Sequence, residues 1–379
     1  MIYDGHAYCF PDQRGDGGFA DRAEFQRNLQ VGMAGHFQSA WRVRDRAPAD
    51  SSGLYDASKG LTFDALKDAD FRAAGHGRFE WTVDGEDYAK QVMPPSIADM
   101  AYPAESLVAE MDYAGVDRAL LHRTPYLGIG NDFIADCVKA FPERIQGLAH
   151  VEEWLVAPEP DASIAKLERA IGEQGLSGVQ FLTNYLRLYG QTDKWDGPAF
   201  RPFWDAVSGM DIPVFFTPSG WVGSQQGADA KLRSYLSDLK TLSRWMERYP
   251  HVKVVLTHGF NWRLFLDGGT LSVPGEVFDA APVESPNFSV QLLFGIALGG
   301  EFDYPMVEMR PTLEKLGRLI GAGRLMWGTD MPMVMRYYTY RQNLEVIRGC
   351  RDIFNADEMD RILGGNMERL MGLEKGSAK

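Results

Sequence analysis

Seven histidines occur in the chain of 379 residues, and four of them, His6, His122, His150 and His258, close short runs of β-branched and apolar residues. Another such run closes with Trp327-Gly328-Thr329-Asp330-Met331-Pro332. Imidazole nitrogens and carboxylate oxygens converging on one place form a mixed donor set suited to zinc, iron or manganese. A purely hydrogen-bonded polar cluster is the alternative for the same residue types. The placement favours a metal, because random insertion of histidine would not keep returning it to strand ends. In Asp4-Gly5-His6-Ala7-Tyr8, period-two alternation aims Asp4, His6 and Tyr8 at one side. The same alternation in His150-Val151-Glu152-Glu153 puts His150 with Glu152.

These residues need a scaffold that brings strand ends together. The sequence predicts strands at Ile2 to Tyr8, Val116 to His122, Arg144 to His150 and Gly178 to Thr183. Four more follow at Pro213 to Thr217, Val252 to His258, Phe288 to Phe294 and Leu325 to Thr329. Helical stretches alternate with them: Pro103 to Tyr113 stops at Gly115, and Asn131 to Phe141 follows. A third helix carries Ile164, Leu167 and Ile171 on one face before Gly175. Eight strands alternating with helices predict an α/β fold, a (β/α)8 TIM barrel, whose chemistry gathers at the C-terminal ends of the strands.

The whole chain, 1–379, reads as one domain. Residues 10–100 do not follow the alternation and form an insertion after strand 1, with a hairpin signal at Asp84-Gly85. Rooted at a strand's C-terminal end, it is expected to sit over the pocket as a lid or to make an oligomer contact. Trp41, Arg42, Arg44 and Arg46 are its most conspicuous cluster. Substrate selection is expected to lie in this insertion and in the loop 218–230.

A formal net charge of −13 repels phosphate backbones and anionic membrane surfaces, so neither nucleic acid nor a membrane is an expected partner. No run approaches the length of a membrane span and no signal-like start is visible, which predicts a cytoplasmic protein. The three cysteines, Cys9, Cys137 and Cys350, are far apart and form no CxxC pair, so they are read as reduced thiols. Gly15-Asp16-Gly17-Gly18 lacks the context of a phosphate loop, and no GxSxG nucleophile elbow occurs.

Taken in order, these motifs make the chain similar to the amidohydrolase-related group typified by aminocarboxymuconate semialdehyde and resorcylate decarboxylases. The resemblance rests on Asp4-Gly5-His6, Asn131-Asp132-Phe133-Ile134 and the run Pro213 to Pro218. It continues through Thr257-His258-Gly259, Gly328-Thr329-Asp330-Met331-Pro332 and Ile362-Leu363-Gly364-Gly365-Asn366. It implies an amidohydrolase-type barrel with a divalent metal, zinc or iron/manganese. His6, His258 and Asp330 would be at the metal, and His258 and Asp330 would be the catalytic groups. The family's second strand-1 histidine and its strand-5 histidine are absent: Tyr8 and Thr217 stand there. His150, Glu152 and Tyr8 are therefore candidates to complete the shell.

The resemblance implies a metal-dependent decarboxylase or hydrolase acting on a small carboxylate, with Arg42 or Arg44 of the lid holding that carboxylate. The chain is also similar to a divergent group containing the two-component 2-aminoisobutyric acid hydroxylase. That likeness implies an alternative, a subunit of an Mn/Fe or di-iron oxygenase, either catalytic or a structural partner. A homo-oligomer, or a hetero-oligomer with a related chain, is expected.

Overall fold

The computed structural model describes residues 1–218 and 228–373. Most of the loop 218–230 therefore lies outside the described residues. Eight parallel strands form the centre: β1 (Tyr3–Ala7), β2 (Arg118–Leu121), β3 (Ile145–Gly147, continued by Ala149–His150) and β4 (Val179–Leu182). They continue as β5 (Val214–Thr217), β6 (Val254–Leu256), β7 (Phe288–Leu292) and β8 (Leu325–Trp327). Each pairs in parallel with the next in chain order, the link between the two halves of the ladder passing through β3. The ring closes just beyond β8, where Ala7 bridges Met331 in parallel and Tyr8 N donates to Met331 O at 2.7 Å. This is the (β/α)8 arrangement, and all eight predicted strands lie where the apolar runs placed them.

Apart from the half-buried Arg118 and Gln146, the strands are buried along their length, as expected where helices cover the outside and side chains fill the inside. Tyr3, Leu120, Leu148, Phe215, Val255 and Met326 fill the ring interior, all at 2% exposure or less. Burying a side chain of this size stabilises by about 1.5–3 kcal/mol. On the outer helix Pro160–Gly172, Leu167 is fully buried while Ile164 and Ile171 pack partly covered against the same core.

The insertion folds as a helix, Arg22–Gly35, and a five-stranded antiparallel sheet. Asp21 starts the helix by accepting Glu24 N at 2.8 Å. The hairpin of Arg78–Val83 with Glu86–Gln91 turns at Asp84 and Gly85, both with positive φ (51° and 79°), the two-residue turn that matches strand twist. The lid meets the barrel at its C-terminal mouth. Asn28 Nδ2 donates to Tyr189 Oη at 2.8 Å, Gln38 donates to Tyr337 Oη, and Gly32 lies against Tyr126, where an added Cβ would come within 3.1 Å of that side chain. No helix among the described residues is long and apolar enough to cross a membrane.

Candidate metal centre

β1 ends on a bulge, with three residues from Asp4 to Ala7 spanning two on β2, and this is where His6 enters the mouth. Gly328 allows it: a Cβ there would lie 3.1 Å from His6 Cβ, so only glycine lets β8 run this close. Beneath the mouth, the buried carboxylate of Asp4 ties β1 to β8. It accepts from Thr329 Oγ1 at 2.5 Å, Tyr340 Oη at 2.7 Å, Thr329 N at 3.1 Å and His6 N at 3.0 Å. Burial pushes its pKa up to about 7 against those hydrogen bonds.

His6, His258 and Asp330 come together. One ligand atom of each lies within 4.8 Å of the others. Asp330 Oδ1 is 3.4 Å from His6 Nε2 and 3.2 Å from His258 Nε2. His258 and Asp330 both leave their strands in the left-handed region, φ 59° and 69°. That conformation is costly for residues with a Cβ and persists where surrounding structure enforces it, often at functional sites.

The His6 tautomer is fixed by Gln291 of β7. His6 Nδ1 donates to Gln291 Oε1 at 2.8 Å, and the amide is oriented because its Nε2 donates to Gly5 O at 2.6 Å. His6 Nε2 therefore presents a lone pair to the mouth, where Tyr8 Oη donates to it at 2.9 Å. Burial, then His122 and His258 nearby, holds the His6 pKa well below its usual value, which keeps the neutral form a metal needs. His122 stacks on His6 with centroids 3.6 Å apart and donates from Nε2 to Gly5 O at 3.0 Å. It supports the His6 ring rather than lining the cavity.

The His6 nitrogen, a carboxylate oxygen and the Tyr8 hydroxyl thus face one point with His258 Nε2 beside them, a donor set that fits a divalent cation. Thr217, on β5, lines the same cavity but is spent on hydroxyl bonding, with Oγ1 2.6 Å from Thr257 Oγ1.

The structure does not bring His150 and Glu152 to this point. β3 is interrupted at Leu148, and Asn131 clamps the His150 backbone, accepting its N–H at 2.8 Å and donating to its carbonyl at 2.9 Å. The His150 ring is fully buried away from the cavity lining, and burial keeps it neutral. Glu152 starts a 3-10 turn and pairs with Lys166 at 2.6 Å.

Its neighbour Glu153 is the buried one. It accepts Leu182 N at 2.9 Å and is lifted to about 8 by desolvation. A carboxyl raised in the folded state holds a proton that the unfolded chain has released between pH 4.5 and about 8, so stability falls across that window. Glu153→Gln keeps the acceptor and removes the titration. Its melting temperature relative to the parent is expected to rise steadily over that range, and a pH-independent difference would contradict this.

Arg42 and Arg44 also stand elsewhere. They lie on the outer part of the lid sheet, 31% and 62% exposed, and are neutralised by Asp45 at 2.6 Å and Glu86 at 3.0 Å respectively. Neither lines the cavity above the metal ligands. Arg42→Ala and Arg44→Ala are expected to leave kcat/KM within about twofold of the parent, since exposed pairs contribute little. A tenfold loss in either would restore a substrate role.

The cavity is walled by Tyr8, Thr217, His258 and Asp330 at the strand ends and roofed by His36, Phe37 and Val92 of the lid, with Arg336 after β8. Arg336, His36, Tyr126 and Gln291 are the residues that sequence reasoning missed.

The family model described as amidohydrolase matches residues 73–373. Gamma-resorcylate decarboxylase of Rhodococcus jostii is 25% identical over 263 residues, covering 61% of this chain and 71% of that one. The 2-amino-3-carboxymuconate-6-semialdehyde decarboxylase of Dictyostelium discoideum is 24% identical over 258 residues, 64% of this chain and 66% of the other. Among solved structures, dihydroxybenzoic acid decarboxylase of Polaromonas sp. JS666, with bound manganese and the inhibitor 2-nitroresorcinol, superimposes with a TM-score of 0.51. It is 17% identical and the match covers 72% of this chain and 87% of that one, a likeness of fold.

Proposed function

The chain belongs to the amidohydrolase family, and on that premise we propose that it is a metal-dependent decarboxylase acting on a small aromatic carboxylate. The observation that carries the reading is the convergence of His6 Nε2, His258 Nε2 and Asp330 Oδ1 within 4.8 Å at the floor of a lidded cavity. The decarboxylase relatives, together with a structural neighbour that holds manganese, support it over the oxygenase alternative.

His6, Asp330 and the Tyr8 oxygen would hold the ion, with His258 beside it. When bound, a divalent cation supplies positive charge that orients and polarises substrate oxygens. The protein's own groups manage the proton. His258 Nε2, 3.2 Å from Asp330 Oδ1, carries a proton to the ring carbon bearing the carboxylate. The carbon–carbon bond to the carboxylate then breaks, its electron pair returns to the ring, and carbon dioxide leaves. Gln291 keeps His6 in the required tautomer, and the roof formed by Phe37 and Val92 excludes water.

The test is product analysis on manganese-reconstituted protein with a panel of hydroxybenzoates under argon and in air. One carbon dioxide per phenol formed, at the same rate in both atmospheres, is expected. Turnover that requires and consumes oxygen would replace this reading with the oxygenase.

A further inference from the structure

Arg336 is the charged group of this cavity that the chemistry above leaves unused. It follows β8 in the 3-10 turn Met333–Arg336 and lines the same space as Asp330. Its Nη1 donates to Val92 O of the lid, while its Nε is buried without a partner. Among the described residues no carboxylate comes within ion-pairing distance of it, Asp330 included. Arg336 is half-buried, a guanidinium is always charged, and a charge held partly out of water without a counter-ion is unfavourable.

The charge around it is one-sided. Lys90 is buried, with Nζ donating at 2.8 Å to the carbonyls of Met33 and His36, and it too has no ion pair among the described residues. Arg263 lies over Phe37 at 4.3 Å but is neutralised by Glu301 at 2.5 Å. His36 faces Arg336, Lys90 and Arg263, and burial and these three cations keep it neutral. At the lid end of the cavity, Arg336 and Lys90 are thus the two cations without a direct ion pair among the described residues. The walls between are apolar: Phe37, Leu182, Ile296 and Met333.

We propose that Arg336 is the anchor for a second anionic group on the substrate, so that the preferred substrates are small planar dicarboxylates. One carboxylate meets the metal end and the other pairs with the guanidinium, whose fork suits carboxylate geometry. This rests on the decarboxylase reading for the first carboxylate's fate, but the second anchor is a matter of binding alone. The competing role for Arg336 is a staple between barrel and lid through Val92 O and the rings of Phe37 and Tyr337, 5.8 and 5.3 Å from its guanidinium carbon. A staple would affect every ligand equally.

The experiment is titration of manganese-loaded protein with isophthalate and with benzoate, followed by tryptophan fluorescence. The parent is expected to bind isophthalate at least about thirtyfold more tightly than benzoate, as a charge-assisted pair would give. Arg336→Gln should bring the two within about threefold while benzoate affinity stays put, and Arg336→Lys should recover part of the preference. Equal losses for both ligands would make Arg336 a staple and overturn the proposal. A parent ratio near one would overturn it without any variant. Preference for isophthalate in a protein that releases no carbon dioxide would sink the decarboxylase reading and leave the anchor. Decarboxylation of monoacids with no preference would do the reverse.

Discussion

Asp330→Asn is expected to empty the metal centre and lower kcat/KM by about a thousandfold or more. Asp330 Oδ1 is the atom that both imidazoles approach, at 3.4 Å from His6 and 3.2 Å from His258, so removing its charge leaves only the His6 nitrogen and a phenol to hold the ion. Such a set holds a divalent ion weakly. Asparagine is chosen because it tolerates the left-handed backbone at this position, φ 69°, and keeps the side chain's shape. The loss can then be assigned to charge and not to a collapsed loop. Metal content by mass spectrometry, beside a melting curve, checks it: near one ion per chain in the parent and under about a tenth in the variant. Full metal occupancy in Asp330→Asn would remove Asp330 from the centre.

His258→Asn is the second large effect, and it separates holding the ion from moving the proton. With His6, Asp330 and Tyr8 retained, metal occupancy is expected to remain above half. kcat is expected to fall by about a hundredfold to ten-thousandfold, the range for a lost acid or base. KM should change little, because substrate oxygens are held by the ion and the cavity walls. The φ of 59° at His258 again suits asparagine. Loss of the ion together with activity would make His258 a ligand first, and unchanged kcat would end its role as proton carrier.

The barrel was legible because its strands are continuous apolar runs closed by unusual residues. His6, His258 and Asp330 could be read from those closures, since a (β/α)8 ring brings every strand end to one mouth. His150 and Glu152 obeyed the same alternation and were misplaced by it. The break at Leu148 and the Asn131 clamp on the His150 backbone are long-range features with no local signature.

Gln291 did carry a signal, a lone amide in the strand Phe288-Ser289-Val290-Gln291-Leu292. Reading it would have given the His6 tautomer. Arg336 had none, because it lies in an irregular turn beyond β8 and its neighbours come from a lid without periodicity. The arginines conspicuous in the sequence, Arg42 and Arg44, are conspicuous because they are exposed and paired. Arg336, proposed as the substrate anchor, is instead half-buried at the cavity wall.

The most direct test of metal-dependent decarboxylation is release of labelled carbon dioxide from a carboxyl-labelled hydroxybenzoate, before chelation, after exhaustive chelation and after manganese is restored. The account predicts turnover, its loss to background, and its return in the parent but not in Asp330→Asn. Release that survives chelation with no metal left in the protein would contradict it.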